Sequence, residues 1–176
     1  AYPQQVAWLI DRQLDVAAAN GLYVRPVIAE KGDSFFRCIG ADGTWTTGSD
    51  DNVYATPTHA SRTYQRYYWR YLVARYGYST ALHSIEYVNE GTPPCSAGDS
   101  HAEATNALAV FFNSTDPNKH VVSTSNWHSF PPKMWGQTSI GCSDIHMYLG
   151  WGVASGGNRL WAGWDGSWST PNTATV

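Results

Sequence analysis

Charged residues are scarce in this chain, since 11 Lys and Arg and 14 Asp and Glu make up only 14% of its 176 residues. The basic residues are scattered along the sequence, whereas neutralising nucleic-acid phosphates takes clustered Lys and Arg. Long apolar runs are also missing, and no segment approaches the roughly 20 residues needed to span a bilayer. We therefore expect neither a nucleic-acid partner nor a membrane partner.

The composition is otherwise rich in apolar and turn-forming residues: 43% are hydrophobic, with 16 Gly, 9 Pro and 9 Trp. These numbers disfavour intrinsic disorder and a coiled coil, and the length suits one globular core. We predict a single domain over 1–176, with a Trp- and Gly-rich tail over 156–176. Few Lys beside many Trp, Tyr, Ser and Thr is typical of a secreted protein, and the start at Ala1, without a leader, leads us to expect an excised piece.

Four helix-strand units follow one another in the hydrophobic pattern. A helix from Val6 to a cap at Asn20-Gly21 precedes a strand at 22–28, and a helix from near Thr58 to Gly77 precedes a strand at 82–88. A capping box at Ser100–Glu103 opens a third helix running to Asn113 before a strand at 120–124, and a brief helix at Met134 and Trp135 precedes a strand at 143–148. This alternation predicts parallel strands joined by right-handed crossovers.

Two architectures are compatible with four successive helix-strand units: an open doubly wound sheet and a closed barrel. A nucleotide-binding open sheet has a Gly-rich turn after its first strand, and no strand end here carries one. A complete (β/α)8 barrel of the TIM type takes about 250 residues, or at least 200, and four units are half of eight. The pattern therefore favours an α/β fold that is an incomplete TIM barrel.

Polar and aromatic residues collect where the predicted strands end, which is where parallel α/β folds place their chemistry. A glutamate among aromatic rings, such as Glu90, can protonate a leaving oxygen near neutral pH. The amide of Asn89 can donate to a sugar hydroxyl, and Trp127 and Trp151 offer flat faces on which pyranose rings can lie.

Two of these strand ends resemble a known family. The run Ile85-Glu86-Tyr87-Val88-Asn89-Glu90 resembles the Asn-Glu motif closing the fourth strand in the large clan of retaining glycoside hydrolases built on the (β/α)8 barrel. His146-Met147-Tyr148 resembles the His-x-Tyr that closes the sixth strand in cellulases and mannanases of that clan. One helix-strand unit lies between the two motifs, as the resemblance requires.

The resemblance implies barrel strands three to six, a β-linked polysaccharide as substrate and a retaining mechanism without a cofactor. Glu90 is then the acid/base, Asn89 holds the substrate hydroxyl beside the cleaved bond, and Tyr148 orients the nucleophile. The residues expected at the site are Glu90, His146 and Tyr148 for catalysis, and Asn89, Trp127 and Trp151 for substrate binding.

The nucleophile of that clan is a second glutamate closing the seventh strand, roughly 5 Å from the first. Here no glutamate follows Glu103, and Asp165 lies between Trp and Gly in a setting typical of a turn. We therefore expect the nucleophile to lie outside this chain, in the remainder of the barrel or another subunit. The segment alone is expected to hydrolyse poorly or not at all.

Plainer interpretations stay open beside this one. Glu86 is either a buried ion-pair partner, which we favour, or a second carboxylate of the pocket, and His146 is either a site residue or a core histidine. The alternative function is a non-catalytic, glycosidase-like module for carbohydrate binding or extracellular assembly. The histidines and cysteines show no metal-ligand spacing, so no metal is expected.

The three cysteines allow one disulfide and one thiol. Cys38 and Cys95 both follow predicted strand exits on one barrel face, whereas Cys142 precedes its strand at the opposite end. We predict a disulfide between Cys38 and Cys95, with Cα atoms within about 7 Å.

Overall fold

The computed structural model describes residues 2–30, 38–45, 54–91, 98–127 and 132–146. Helices and strands alternate along these residues, in the order that the hydrophobic pattern predicts. The α-helices are α1 (Gln4–Ala19), α2 (Ala60–Tyr76) and α3 (Gly98–Thr115), with a short 3-10 helix at Pro132–Gly136. The strands are β1 (Val27–Glu30), β2 (Ser84–Asn89), β3 (Val121–Trp127) and β4 (Cys142–His146).

The four strands form one parallel sheet in the order β1-β2-β3-β4. The prediction of parallel strands in an α/β fold is therefore confirmed. Each strand adds next to the one before it, so all the carboxyl ends meet at one edge of the sheet. At that edge Glu30 pairs in register with Asn89, and Trp127 pairs with His146.

The first two helices end where local sequence signals place their ends. Helix α1 is followed by Asn20 and then by Gly21, whose φ of +65° is in the left-handed region that glycine adopts without a steric penalty. Helix α2 begins after His59, whose Nδ1 accepts a hydrogen bond from the N–H of Ser61, and ends at Gly77. Apolar spacing and caps together set these limits.

Two local predictions are wrong. The strand predicted at 22–28 makes only an isolated bridge at Val24, and its regular ladder begins at Val27, directly after Pro26, which has no N–H to donate. Helix α3 begins at Gly98, so Ser100 lies inside its first turn and does not cap it. The carboxylate of Glu103 forms an ion pair with Lys133 instead of turning back to a capping position.

The two faces of the sheet differ sharply in chemistry. Helices α2 and α3 cover one face, where Trp69 lies edge-on to Tyr87 with ring centroids 5.9 Å apart, and where Leu108 and Phe112 are fully buried. Because side chains alternate along a strand, the neighbours of Tyr87 point to the other face. That face carries buried polar side chains: Ser84, Glu86, Ser123 and Ser125. This polar face of the sheet continues to the edge at which the strands end.

Candidate active site

Glu90 and His146 meet at the carboxyl edge of the sheet. Glu90 directly follows β2 and His146 is the last residue of β4, and the Nδ1 of the histidine lies 3.3 Å from Oε1 of the carboxylate. The side chain of Glu90 is 11% exposed and that of His146 is 33% exposed. A largely buried carboxylate thus contacts a partly exposed imidazole.

The backbone of Glu90 is held in an uncommon conformation. Its φ is +53°, in the left-handed region, which costs a residue with a side chain on the order of 1–3 kcal/mol. The N–H of Glu90 donates to Oγ of Ser125 at 2.8 Å, and the N–H of Gly91 donates to the main-chain oxygen of Ser125 at 2.8 Å. Strain of this kind persists where neighbouring contacts hold it, and here strand β3 supplies them.

A charged network lies beneath Glu90. The Glu86 side chain is 3% exposed, accepts a hydrogen bond from Ser125 Oγ at 2.6 Å, and lies 3.3 Å from Nε of Arg25. Arg25 also forms a salt bridge with Asp144, and this hydrogen bond, followed by the negative charges of Glu86 and Asp144, raises the pKa of the guanidinium above its ordinary value. The prediction that Glu86 is a buried ion-pair partner is confirmed.

Asn89 is oriented from the neighbouring strand. Its Nδ2 donates a hydrogen bond to Oε2 of Glu30, the last residue of β1, at 2.7 Å. One amide proton of Asn89 is therefore bound by a carboxylate, and the amide also carries a second proton and an acceptor oxygen. The contact fixes the rotamer of the residue expected to hold a substrate hydroxyl.

The other side of the Glu90-Gly91 turn rests on two aromatic side chains. The hydroxyl of Tyr54 donates to the main-chain oxygen of Gly91, and the Tyr54 ring lies edge-on to His101 with centroids 5.2 Å apart. Burial lowers the pKa of His101 to about 3, so its ring is neutral. A Cβ at position 91 would lie 2.4 Å from Cε1 of His101, so only glycine fits there.

The hydrogen bonds around His101 also determine its tautomer. The hydroxyl of Thr124 donates to the main-chain oxygen of Val88, so it can only accept from Nε2 of His101, which lies 3.1 Å away. The proton is therefore on Nε2. Within the described part of the chain, the buried Nδ1 has no hydrogen-bond partner.

Two predicted site residues, Tyr148 and Trp151, lie outside the described residues, and so does the tail at 156–176 with Asp165. Trp127 ends β3 in register with His146, and its side chain is outside the described part. Cys95 is outside it as well, and the two described cysteines, Cys38 and Cys142, are not bonded to each other. The Cys38–Cys95 disulfide stays a prediction, which mass spectrometry of unreduced peptides can test.

Three residues of the site were missed by the sequence analysis: Arg25, Glu30 and Ser125. Alternation along β3 places Ser125 on the same sheet face as Glu86 once the register of β2 and β3 is known. Ser125 could therefore be found only from the pairing of these two strands, and no sequence motif marks it. Arg25 precedes the regular part of β1, where no periodicity marks the direction of its side chain.

An apolar cavity lies elsewhere in the molecule. It has a volume of about 230 Å³ and lies between α1, α2 and the start of β1, lined by side chains that include Ile10, Leu14, Ile28 and Leu72. Neither Glu90 nor His146 lines it. Its lining, as the described residues show it, holds no carboxylate and no imidazole.

Comparison with known proteins adds no relative: no family model, curated protein or solved structure matches this chain. Among the described residues, no cluster of three or more His, Cys, Asp or Glu side chains is arranged to hold a metal ion. No helix in the described ranges is long and apolar enough to cross a membrane. The candidate functional groups are therefore the side chains at the strand ends.

Proposed function

We propose that this chain is part of a secreted, retaining glycoside hydrolase that acts on a β-linked polysaccharide, with Glu90 as its acid/base. The observation that carries the proposal is the 3.3 Å contact between Glu90 and His146, two residues singled out by separate motifs. The parallel sheet in chain order further supports the placement of its strands as strands three to six of a (β/α)8 barrel.

In the proposed reaction, the protonated carboxyl group of Glu90 donates its proton to the glycosidic oxygen as the bond from this oxygen to the anomeric carbon breaks. A nucleophile bonds to that carbon, and Glu90 then removes a proton from the water that releases the sugar. His146 keeps the Glu90 carboxyl oriented, and Asn89 holds a substrate hydroxyl. Trp127 and Trp151 stack against sugar rings, and Tyr148 orients the nucleophile.

No glutamate follows Glu103 in the sequence, so the proposed nucleophile lies outside this chain. The other carboxylates described near this edge already have partners, because Glu86 and Asp144 bind Arg25 and Glu30 binds Asn89. Retaining hydrolysis needs a second carboxylate about 5 Å from the acid/base. We therefore propose that activity requires the remainder of the barrel or another subunit.

The proposal is tested with aryl β-cellobiosides and β-mannobiosides, with and without azide as an external nucleophile. Azide replaces the missing carboxylate by bonding to the anomeric carbon, while the phenol leaves with a proton from Glu90. We expect slow turnover by the chain alone, and faster turnover with azide, yielding the α-glycosyl azide. Equal hydrolysis by the chain alone and by the full-length product would contradict the external nucleophile.

The role of Glu90 is tested by Glu90→Gln. General acid catalysis contributes about 10²–10⁴-fold. In the azide-supported reaction the variant should therefore lose that much turnover on a methylumbelliferyl glycoside, and little on a dinitrophenyl glycoside, whose leaving group needs no proton. The matched control is Glu103→Gln, which changes an exposed glutamate of α3. Unchanged turnover in Glu90→Gln excludes the acid/base role, and sugar binding without turnover in any condition supports the non-catalytic module instead.

A further inference from the structure

Ser125 lies between two buried glutamates, Glu86 within β2 and Glu90 directly after it. Its side chain is fully buried, its Oγ lies 2.6 Å from Oε1 of Glu86, and the same oxygen lies 2.8 Å from the main-chain nitrogen of Glu90. A hydroxyl has one proton, and a carboxylate accepts but does not donate. The proton of Ser125 therefore points at Glu86, and a lone pair of its oxygen accepts the N–H of Glu90.

This polarity depends on Glu86 staying in place. Arg25 Nε lies 3.3 Å from the second oxygen of Glu86 and supplies the opposing charge. Arg25 thus pairs with Glu86, Glu86 accepts the hydroxyl proton of Ser125, and Ser125 Oγ accepts the N–H of Glu90. Because the main-chain oxygen of Ser125 also accepts the N–H of Gly91, one residue holds both amides of the turn.

We propose that Ser125, oriented by Glu86, is a positioning residue for Glu90, and this inference rests on the proposed glycosidase function. Ser125 touches no reacting atom in this scheme. It holds the Glu90 backbone at a φ of +53°, and this backbone conformation brings the carboxylate to His146. Displacing a catalytic group by about 1 Å can cost on the order of 10²-fold in rate.

The first experiment measures amide hydrogen exchange by NMR and does not depend on activity. In Ser125→Ala the Glu90 amide loses its acceptor, and we expect its exchange to become at least about tenfold faster. Ser123→Ala is the matched control, because Ser123 is equally buried on the same strand and face, and its hydroxyl donates to the Ile85 main-chain oxygen, 3.5 Å away, rather than accepting the Glu90 amide. Unchanged exchange at Glu90 in Ser125→Ala overturns the proposal.

The second experiment separates positioning from general stability by using the azide-supported reaction. We expect Ser125→Ala and Glu86→Gln to lower kcat about 10- to 100-fold on a methylumbelliferyl glycoside, with little change in KM and little effect on a dinitrophenyl glycoside. Ser125→Thr, which restores the hydroxyl, should recover most of the loss. Equal losses on both substrates would show a merely structural role and overturn the proposal.

The two hypotheses fail in different ways. If Glu90→Gln keeps full turnover, the proposed function fails, and the exchange measurement still decides whether Ser125 holds the Glu90 backbone. If Glu90→Gln loses turnover while Ser125→Ala keeps it, only the positioning role is wrong.

Discussion

The Nδ1 atom of His146 lies 3.3 Å from the Oε1 atom of Glu90, although 56 residues separate the two along the chain. The contact spans the end of β3, because Glu90 follows β2 and His146 ends β4. The contact depends on the left-handed backbone conformation of Glu90 and on the register of β4 with β3, which places His146 beside Trp127. The candidate site is therefore a property of three neighbouring strands.

The positive φ of Glu90 predicts an unusual response to glycine. Alanine keeps the strain at this position whereas glycine relieves it, so Glu90→Gly should be about 1 kcal/mol more stable than Glu90→Ala in urea unfolding. Lys119, with a φ of +55°, should show the same order. At Glu103, inside α3, the order should reverse, because glycine is about 1 kcal/mol worse than alanine in a helix. If the glycine variant were more stable than the alanine variant at all three positions, or less stable at all three, the backbone strain at Glu90 would be contradicted.

The buried histidine predicts a pH-dependent loss of stability. His101 has a pKa of about 3 in the folded chain against 6.5 ordinarily, so between these values the unfolded chain binds a proton that the folded chain does not. Stability is therefore lost as the pH falls from 6.5 towards 3, by about 1.4 kcal/mol per pH unit. His101→Gln should remove this slope in urea titrations at pH 7.5 and 4.5, whereas His83→Gln, at an exposed position, should keep it.

The turn after Glu90 predicts a steric limit at Gly91. An added methyl group would collide with the His101 ring and the Tyr54 hydroxyl, so Gly91→Ala should lower the free energy of unfolding by about 1–3 kcal/mol. Gly136→Ala is the control, since nothing lies within 4 Å of a Cβ built there. Equal thermal denaturation of the two variants would show that the space beside Gly91 is open.

The ion pair beneath the site predicts different effects for two arginines. Arg25→Gln leaves the Glu86 carboxylate buried without its countercharge and should cost about 1–3 kcal/mol, less than for a fully buried pair because Arg25 is itself partly exposed. Arg12→Gln breaks an exposed pair with Asp15 and should change stability by less than about 1 kcal/mol. Chemical denaturation measures both, and similar losses would contradict the assignment of Glu86 as buried and charged.

Local signals were sufficient for much of the fold. The apolar spacing of α1, its end at Asn20 and the end of α2 at Gly77 involve residues close in sequence, and the structure matches them. The alternation of helices and strands also predicted the parallel sheet, because a helix between two strands returns the chain to the same end of the sheet, and the next strand then runs in the same direction. The failures at 22–28 and at Ser100 occurred where one proline or an earlier helix start changed the hydrogen bonding.

The sequence by itself determined which residues stand at strand ends, and therefore that Asn89, Glu90 and His146 share one edge of a sheet. Only the tertiary structure decided which atoms meet there: Ser125 with Glu86 and Glu90, Glu30 with Asn89, and Arg25 with Asp144. The physical reason is the distance along the chain, from 35 residues for Ser125 and Glu90 to 119 for Arg25 and Asp144. Such contacts depend on strand register and helix packing, which no local pattern encodes.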